Sequence, residues 1–79
     1  MSERVARFCA VMREAKDQQI KISGIVEDAL AALNDYIEGL PQEAGLRLKT
    51  EQEALKDVLE TERKHANILN LMYILRCGE

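Results

Sequence analysis

The most constraining feature of this chain is a heptad rhythm that runs through its first half. Val5, Phe8, Met12, Ala15, Gln19, Ile22, Val26, Ala29, Leu33, Tyr36 and Leu40 follow one another at alternating spacings of three and four, and only Gln19 among them is polar. Five heptads of such regularity describe a helix that packs along its whole length against another helix. Cys9, Ile25, Leu30 and Ile37 flank the stripe and widen it beyond what one neighbour needs.

Ser2 suits the N-cap of this helix, with Glu3 in the first turn where the helix dipole favours an acid. Gly24, in "KISGIV", costs about 1 kcal/mol relative to Ala in a helix interior. The rhythm continues across it, so a bend or a close helix contact is expected there, with a true break into three helices as the alternative. "EGLPQEAG" is the one convincing turn: Gly39 is expected to end the helix in the left-handed conformation, and Pro41 suits the first turn of the next. Helix two then starts near Pro41, or later at "TEQE", where Thr50 and Glu53 have capping-box spacing.

A second stripe follows: Leu55, Val58 with Leu59, Glu62, His65 with Ala66, Leu69, and Met72 with Tyr73. The expected fold is therefore all-α, an antiparallel helical hairpin in one domain over residues 1–79. Helix one covers about 3–39, the turn about 39–46 and helix two about 46–77.

The end of the chain, "HANILNLMYILRCGE", decides what this hairpin needs. Its apolar residues from Ile68 to Leu75 cover an arc of roughly 260° on a helical wheel, whereas one partner helix covers about a 100° stripe. Helix one cannot bury this segment, and a chain of 79 residues gains only about 3–5 kcal/mol from a private core. Antiparallel geometry brings Val5, Phe8 and Met12 beside Leu69, Met72 and Tyr73 at the open end. A contact surface is expected from Val5, Phe8, Met12, Leu69, Leu71, Met72, Ile74 and Leu75. A second copy, giving a four-helix bundle dimer, is the simplest cover; a helix or groove of another protein is the other.

Charge excludes some functions. The net charge is −3. Residues 1–21 carry five basic and three acidic groups, while residues 22–46 carry five acids and no base. No concentrated basic face exists for phosphate, so nucleic acid is not an expected partner. The acidic stretch from Glu27 to Glu43 is a second candidate surface, able to steer a basic partner. Only about eleven residues separate Lys64 from Arg76, too few for a membrane span of about 20. No signal peptide is evident, and two cysteines, Cys9 and Cys77, are too few for a secreted disulfide scaffold. A cytoplasmic protein with free thiols is expected, although hairpin geometry would let the two sulfurs approach at the open end.

Candidate chemistry is sparse. Glu62 and His65 form a Glu-x-x-His pair of the kind used in di-iron bundles, but Gln19, Ile22, Ser23 and Val26 opposite supply no carboxylate. No metal or other cofactor is expected. Gln19, Glu62 and His65 are instead expected to form a polar layer that sets register at some cost in stability, so that replacing Gln19 with Leu would raise stability. No Gly-rich phosphate loop or nucleophile elbow is present, and no base stands beside either cysteine, so an enzyme is not expected.

The hairpin outline, its Pro-containing turn and the stretch "EQEALKDVLETERKHANIL" are similar in outline to the small chaperones that guard type III secretion needle subunits. The likeness covers under half the chain, rests on no diagnostic motif and carries over no functional residue. It implies a chaperone that sequesters a helical client. The residues themselves point to a non-enzymatic interaction module that self-associates and binds, inhibits, masks or adapts another protein. A purely structural homo-oligomer is the remaining class.

Overall fold

The structure, a computed structural model, describes residues 2–78. It contains three helices and, among the described residues, no strand: α1 (Glu3–Glu38), α2 (Gln42–Arg47) and α3 (Lys49–Cys77). Helices α1 and α3 lie side by side and antiparallel, with α2 capping the turn. The Ser2 side chain accepts from the Val5 backbone N–H at 3.2 Å and opens α1.

The helix runs unbroken through Gly24, where a Cβ would meet nothing within 4 Å. Gly24 therefore marks neither a break nor a close helix contact; it sits on an open surface. At the end of α1 the sequence expectation fails differently. Gly39 has φ −80°, in the right-handed region, and its N–H donates to the Asp35 and Tyr36 carbonyls. The left-handed glycine is Gly78, with φ 77°, closing α3 onto the Ile74 carbonyl.

Both proposed starts of the second helix correspond to something real. Pro41 caps α2, its carbonyl accepting from the Gly45 N–H at 3.0 Å. The chain then turns at Leu48, and α3 begins at Lys49. Thr50 lies inside α3, so the Thr50/Glu53 capping box is not used. Gly45 lets α2 lie close on α1, since a Cβ there would stand 3.3 Å from the Ile37 Cγ2.

The seam between α1 and α3 corrects the stripe read from sequence. In α1 the half-buried or buried positions are Cys9, Met12, Ala15, Lys16, Gln19, Ser23, Val26, Leu30, Leu33, Asn34 and Ile37, with Leu40 following in the turn. Met12, Ala15, Gln19, Val26, Leu33 and Leu40 are the expected ones. Elsewhere the seam lies one residue later than the stripe read from sequence: Cys9, Ser23, Leu30 and Ile37 take the places assigned to Phe8, Ile22, Ala29 and Tyr36, and Lys16 joins Ala15. In α3 the seam is Gln52, Leu55, Leu59, Glu62, Ala66, Leu69, Tyr73 and Cys77. Lys16 is tolerated because a two-helix seam is open at its sides, so the stem lies along the helix while the ammonium reaches the Asp17 carboxylate and the face of the Tyr73 ring.

This seam buries little. Leu59, Ala66 and Tyr73 are the buried apolar side chains among the described residues, and Ser23 the buried polar one. The molecule measures 61 × 16 × 14 Å with a radius of gyration of 17.8 Å, against about 11.6 Å for a globular domain of this length. It exposes 6242 Å², whereas a compact monomer of this mass exposes about 4,900 Å².

A disulfide closes the open end. Cys9 and Cys77 are bonded, with Cα atoms 5.9 Å apart and a sequence separation of 68, so the expectation of free thiols is overturned. The sequence placed both at the open end; their facing one another depends on the helix phases, which only packing sets.

Two stability predictions follow from this architecture. Gly24→Ala removes backbone freedom without a clash, so thermal or urea unfolding should show a gain of about 0.5–1 kcal/mol. Replacing Cys9 and Cys77 with Ser should cost about 2–4 kcal/mol in the same assay, because the bridge restrains a loop of nearly the whole chain.

Candidate interaction surface

The residue just before each seam position lies 100° around its helix. Because α1 and α3 run in opposite directions, stepping back one residue turns to the same side of the hairpin on both; stepping forward turns to the other side. The forward side is where Glu27 and Arg63 meet, with Arg63 Nη2 2.9 Å from Glu27 Oε2. It also holds Asn34, whose Oδ1 accepts from Gln52 Nε2 at 2.6 Å.

The backward side is different in kind. Along α1 it presents Phe8, Val11, Ala15, Gln18, Ile22, Ile25, Ala29, Ala32 and Tyr36; along α3 it presents Ala54, Val58, Thr61, His65, Ile68 and Met72, with Leu75 at its edge and Arg76 closing the open end. From Phe8 to Tyr36 and from Ala54 to Leu75, not one is Asp, Glu, Lys or Arg. Nine of them (Phe8, Val11, Ile22, Ile25, Tyr36, Val58, Ile68, Met72 and Leu75) are large apolar side chains left exposed. The charges from Arg7 to Arg63 stand on the forward or outer sides, save Lys16 and Glu62 in the seam, Glu51 just beyond the end of the face and the residues of the turn. An uncharged, heptad-spaced face two helices wide is the dominant surface feature of the molecule.

The residues expected to form the contact surface divide among several places. Phe8, Met72 and Leu75 belong to this face, and exposed Val5 lies just beyond its open end. Met12 and Leu69 turn into the seam, half-buried. Leu71 and Ile74 are exposed on the outer and forward sides of α3. The end of α3 is thus apolar over most of its circumference, and α1 covers Leu69, Tyr73 and the bridged Cys77.

The polar layer forms with two members. Gln19 Nε2 donates to the Glu62 carboxylate, and the same nitrogen lies 3.5 Å from the Glu62 carbonyl. The Ser23 hydroxyl donates to the Gln19 carbonyl at 3.0 Å. His65 does not join them. It is exposed on the uncharged face, where it lines an open cleft of about 210 Å³ with Gln19, Ile68 and Leu69. Among the described residues no group of three or more His, Cys, Asp or Glu side chains is placed to hold a metal ion, and no helix is long and apolar enough to cross a membrane.

Sequence reasoning missed the arrangement around Tyr73. This side chain is 4% exposed. Its hydroxyl accepts from Arg13 Nε at 3.0 Å and Nη2 at 2.7 Å. Lys16 Nζ lies 5.2 Å and Arg13 Cζ 5.6 Å from the ring centroid, within cation–π range. Lys16 also pairs with Asp17 at 3.2 Å. Beside the disulfide, these contacts pin the apolar end of α3 to α1. The available signal was the basic pair at 13 and 16 opposite the single aromatic residue of α3.

No family model matches this chain, and neither a curated protein nor a solved structure matches it.

Because Glu62 is half-buried and takes its hydrogen bond from Gln19, the effect of Gln19→Leu differs from the gain expected from sequence. That substitution should lower stability by about 1 kcal/mol, since it strands a carboxylate. Gln19→Leu with Glu62→Leu should raise it above wild type by about 1–3 kcal/mol, as replacement of buried polar pairs often does. Denaturant midpoints of the two variants check both signs.

Proposed function

We propose that this chain is a non-enzymatic protein–protein interaction module, a helical hairpin that self-associates and docks on another protein to inhibit, mask or adapt it. One observation carries the reading: among the described residues three apolar side chains are buried while fourteen large ones are exposed, and most of those lie on one uncharged face. Monomeric proteins rarely leave so large a contiguous apolar surface wet. Helices of matching rhythm are the natural cover, docked in helix-in-groove or bundle fashion.

The end of α3 supports a client beyond self-association. Leu71 and Ile74 are exposed on sides that the uncharged face does not include, so whatever covers that face leaves them free. They are our choice for contact with a different protein.

The disulfide bears on where such a module works. Bridges form and persist in oxidising compartments. We therefore place the chain in one, in preference to the cytoplasm suggested by its cysteine count.

Leu71→Lys combined with Ile74→Lys tests the client reading. Circular dichroism and the mass in solution should match wild type, because neither residue supports the seam. In parallel affinity capture from the native cell, the double variant should lose a protein that wild type retains. Identical captured sets from both would overturn the reading.

A further inference from the structure

We propose that the occupant of the uncharged face is a second copy of this chain, stacked face to face and running in the opposite direction, so that the two-fold axis crosses the hairpin near its middle. This rests on the reading above that the face exists to be covered by helices. Three observations select the occupant and its orientation.

The first is size. From Phe8 to Tyr36 the face runs about 42 Å at 1.5 Å per residue, and the hairpin is 16 Å across. That is roughly 700 Å² per copy, the order of the ~800 Å² per partner found in stable complexes. Two copies share one rhythm, so the same side chains interdigitate across the axis.

The second is shape. Along α3 the face is bulky at the open end, with Met72 and Leu75, and shallow toward the turn, with Ala54. Copies running in the same direction would set Phe8 on Leu75 and leave a gap between Ala32 and Ala54. Opposite directions lay α3 on α3 and set Leu75 over Ala54 of the other copy, as close packing requires.

The third is charge. The open half, residues 1–21 with 62–79, holds eight bases and five acids; the turn half, residues 22–61, holds three bases and nine acids. Parallel stacking would bring two acidic ends together. Opposed stacking sets each acidic end beside a basic one, which fixes orientation as complementary potentials do at interfaces.

The test uses the full chain with its disulfide intact. Sedimentation equilibrium should give twice the 9.0 kDa chain mass. Ile25 is 62% exposed in the hairpin and lies near the axis, so Ile25→Glu should weaken the dimer at least ~100-fold, as an uncompensated buried charge does. Ile20 is 50% exposed on the forward side, and Ile20→Glu should leave the dimer as it is. Circular dichroism checks that both variants keep their helices. A spin label at Gln42→Cys reports orientation: opposed copies put the two labels ~50 Å apart, while parallel copies put them within ~20 Å, given the helix rise.

A larger assembly, a short label distance, or a dimer indifferent to Ile25→Glu would overturn the proposal. A wild-type monomer would also overturn it, and dye binding then separates the two readings. If that monomer binds an apolar-surface dye and Ile25→Glu abolishes binding, the second copy is wrong while the docking face stands. If it binds no dye, both fall.

Discussion

Two helices side by side can shelter only one stripe each, and everything else in this molecule follows from that geometric ceiling. The seam of α1 and α3 is a single row of contacts, and its members are mostly half-buried. Such a row cannot offset the entropy of ordering a 79-residue chain by apolar burial alone. The disulfide between Cys9 and Cys77, the Arg13 and Lys16 contacts with Tyr73 and the Gln19–Glu62 pair are distributed along the seam where apolar contact is thin. The bridge restrains the unfolded chain, and the polar contacts add specificity of register more than net stability.

The same ceiling explains the surface. The charges gather on the forward and outer sides, with Glu27–Arg63 bridging the helices there, and the backward side carries none between Phe8 and Tyr36 or between Ala54 and Leu75. The separation gives the hairpin an apolar slab on one side and a solvated one on the other. The uneven charge along the long axis adds direction to that slab.

How far the sequence was legible is clearest at particular residues. The hairpin, the turn around Pro41, the Ser2 cap and the run of α1 through Gly24 could all be read, because propensity and heptad spacing act locally. The seam was read with several of its members displaced. Phe8, Ile22 and Tyr36 obey the same rhythm as Cys9, Ser23 and Ile37, one residue away. A wide stripe with one period therefore contains two seams. Greasier residues looked like the inner one, yet the small Ser23 and the flexible Lys16 lie inward, and isoleucines and phenylalanine face out. His65 was misplaced for the same reason, being one residue from Ala66.

The sequence by itself determined the helices, their number of heptads and the imbalance of charge from end to end. These depend on spacing and composition, which the chain carries wherever it lies. Only the tertiary structure decided which stripe turned inward, that Cys9 met Cys77, and that the uncharged residues of both helices shared one face. Those outcomes depend on the rotation of each helix about its own axis. That rotation is set by contacts between residues far apart in the chain, about which local periodicity is silent.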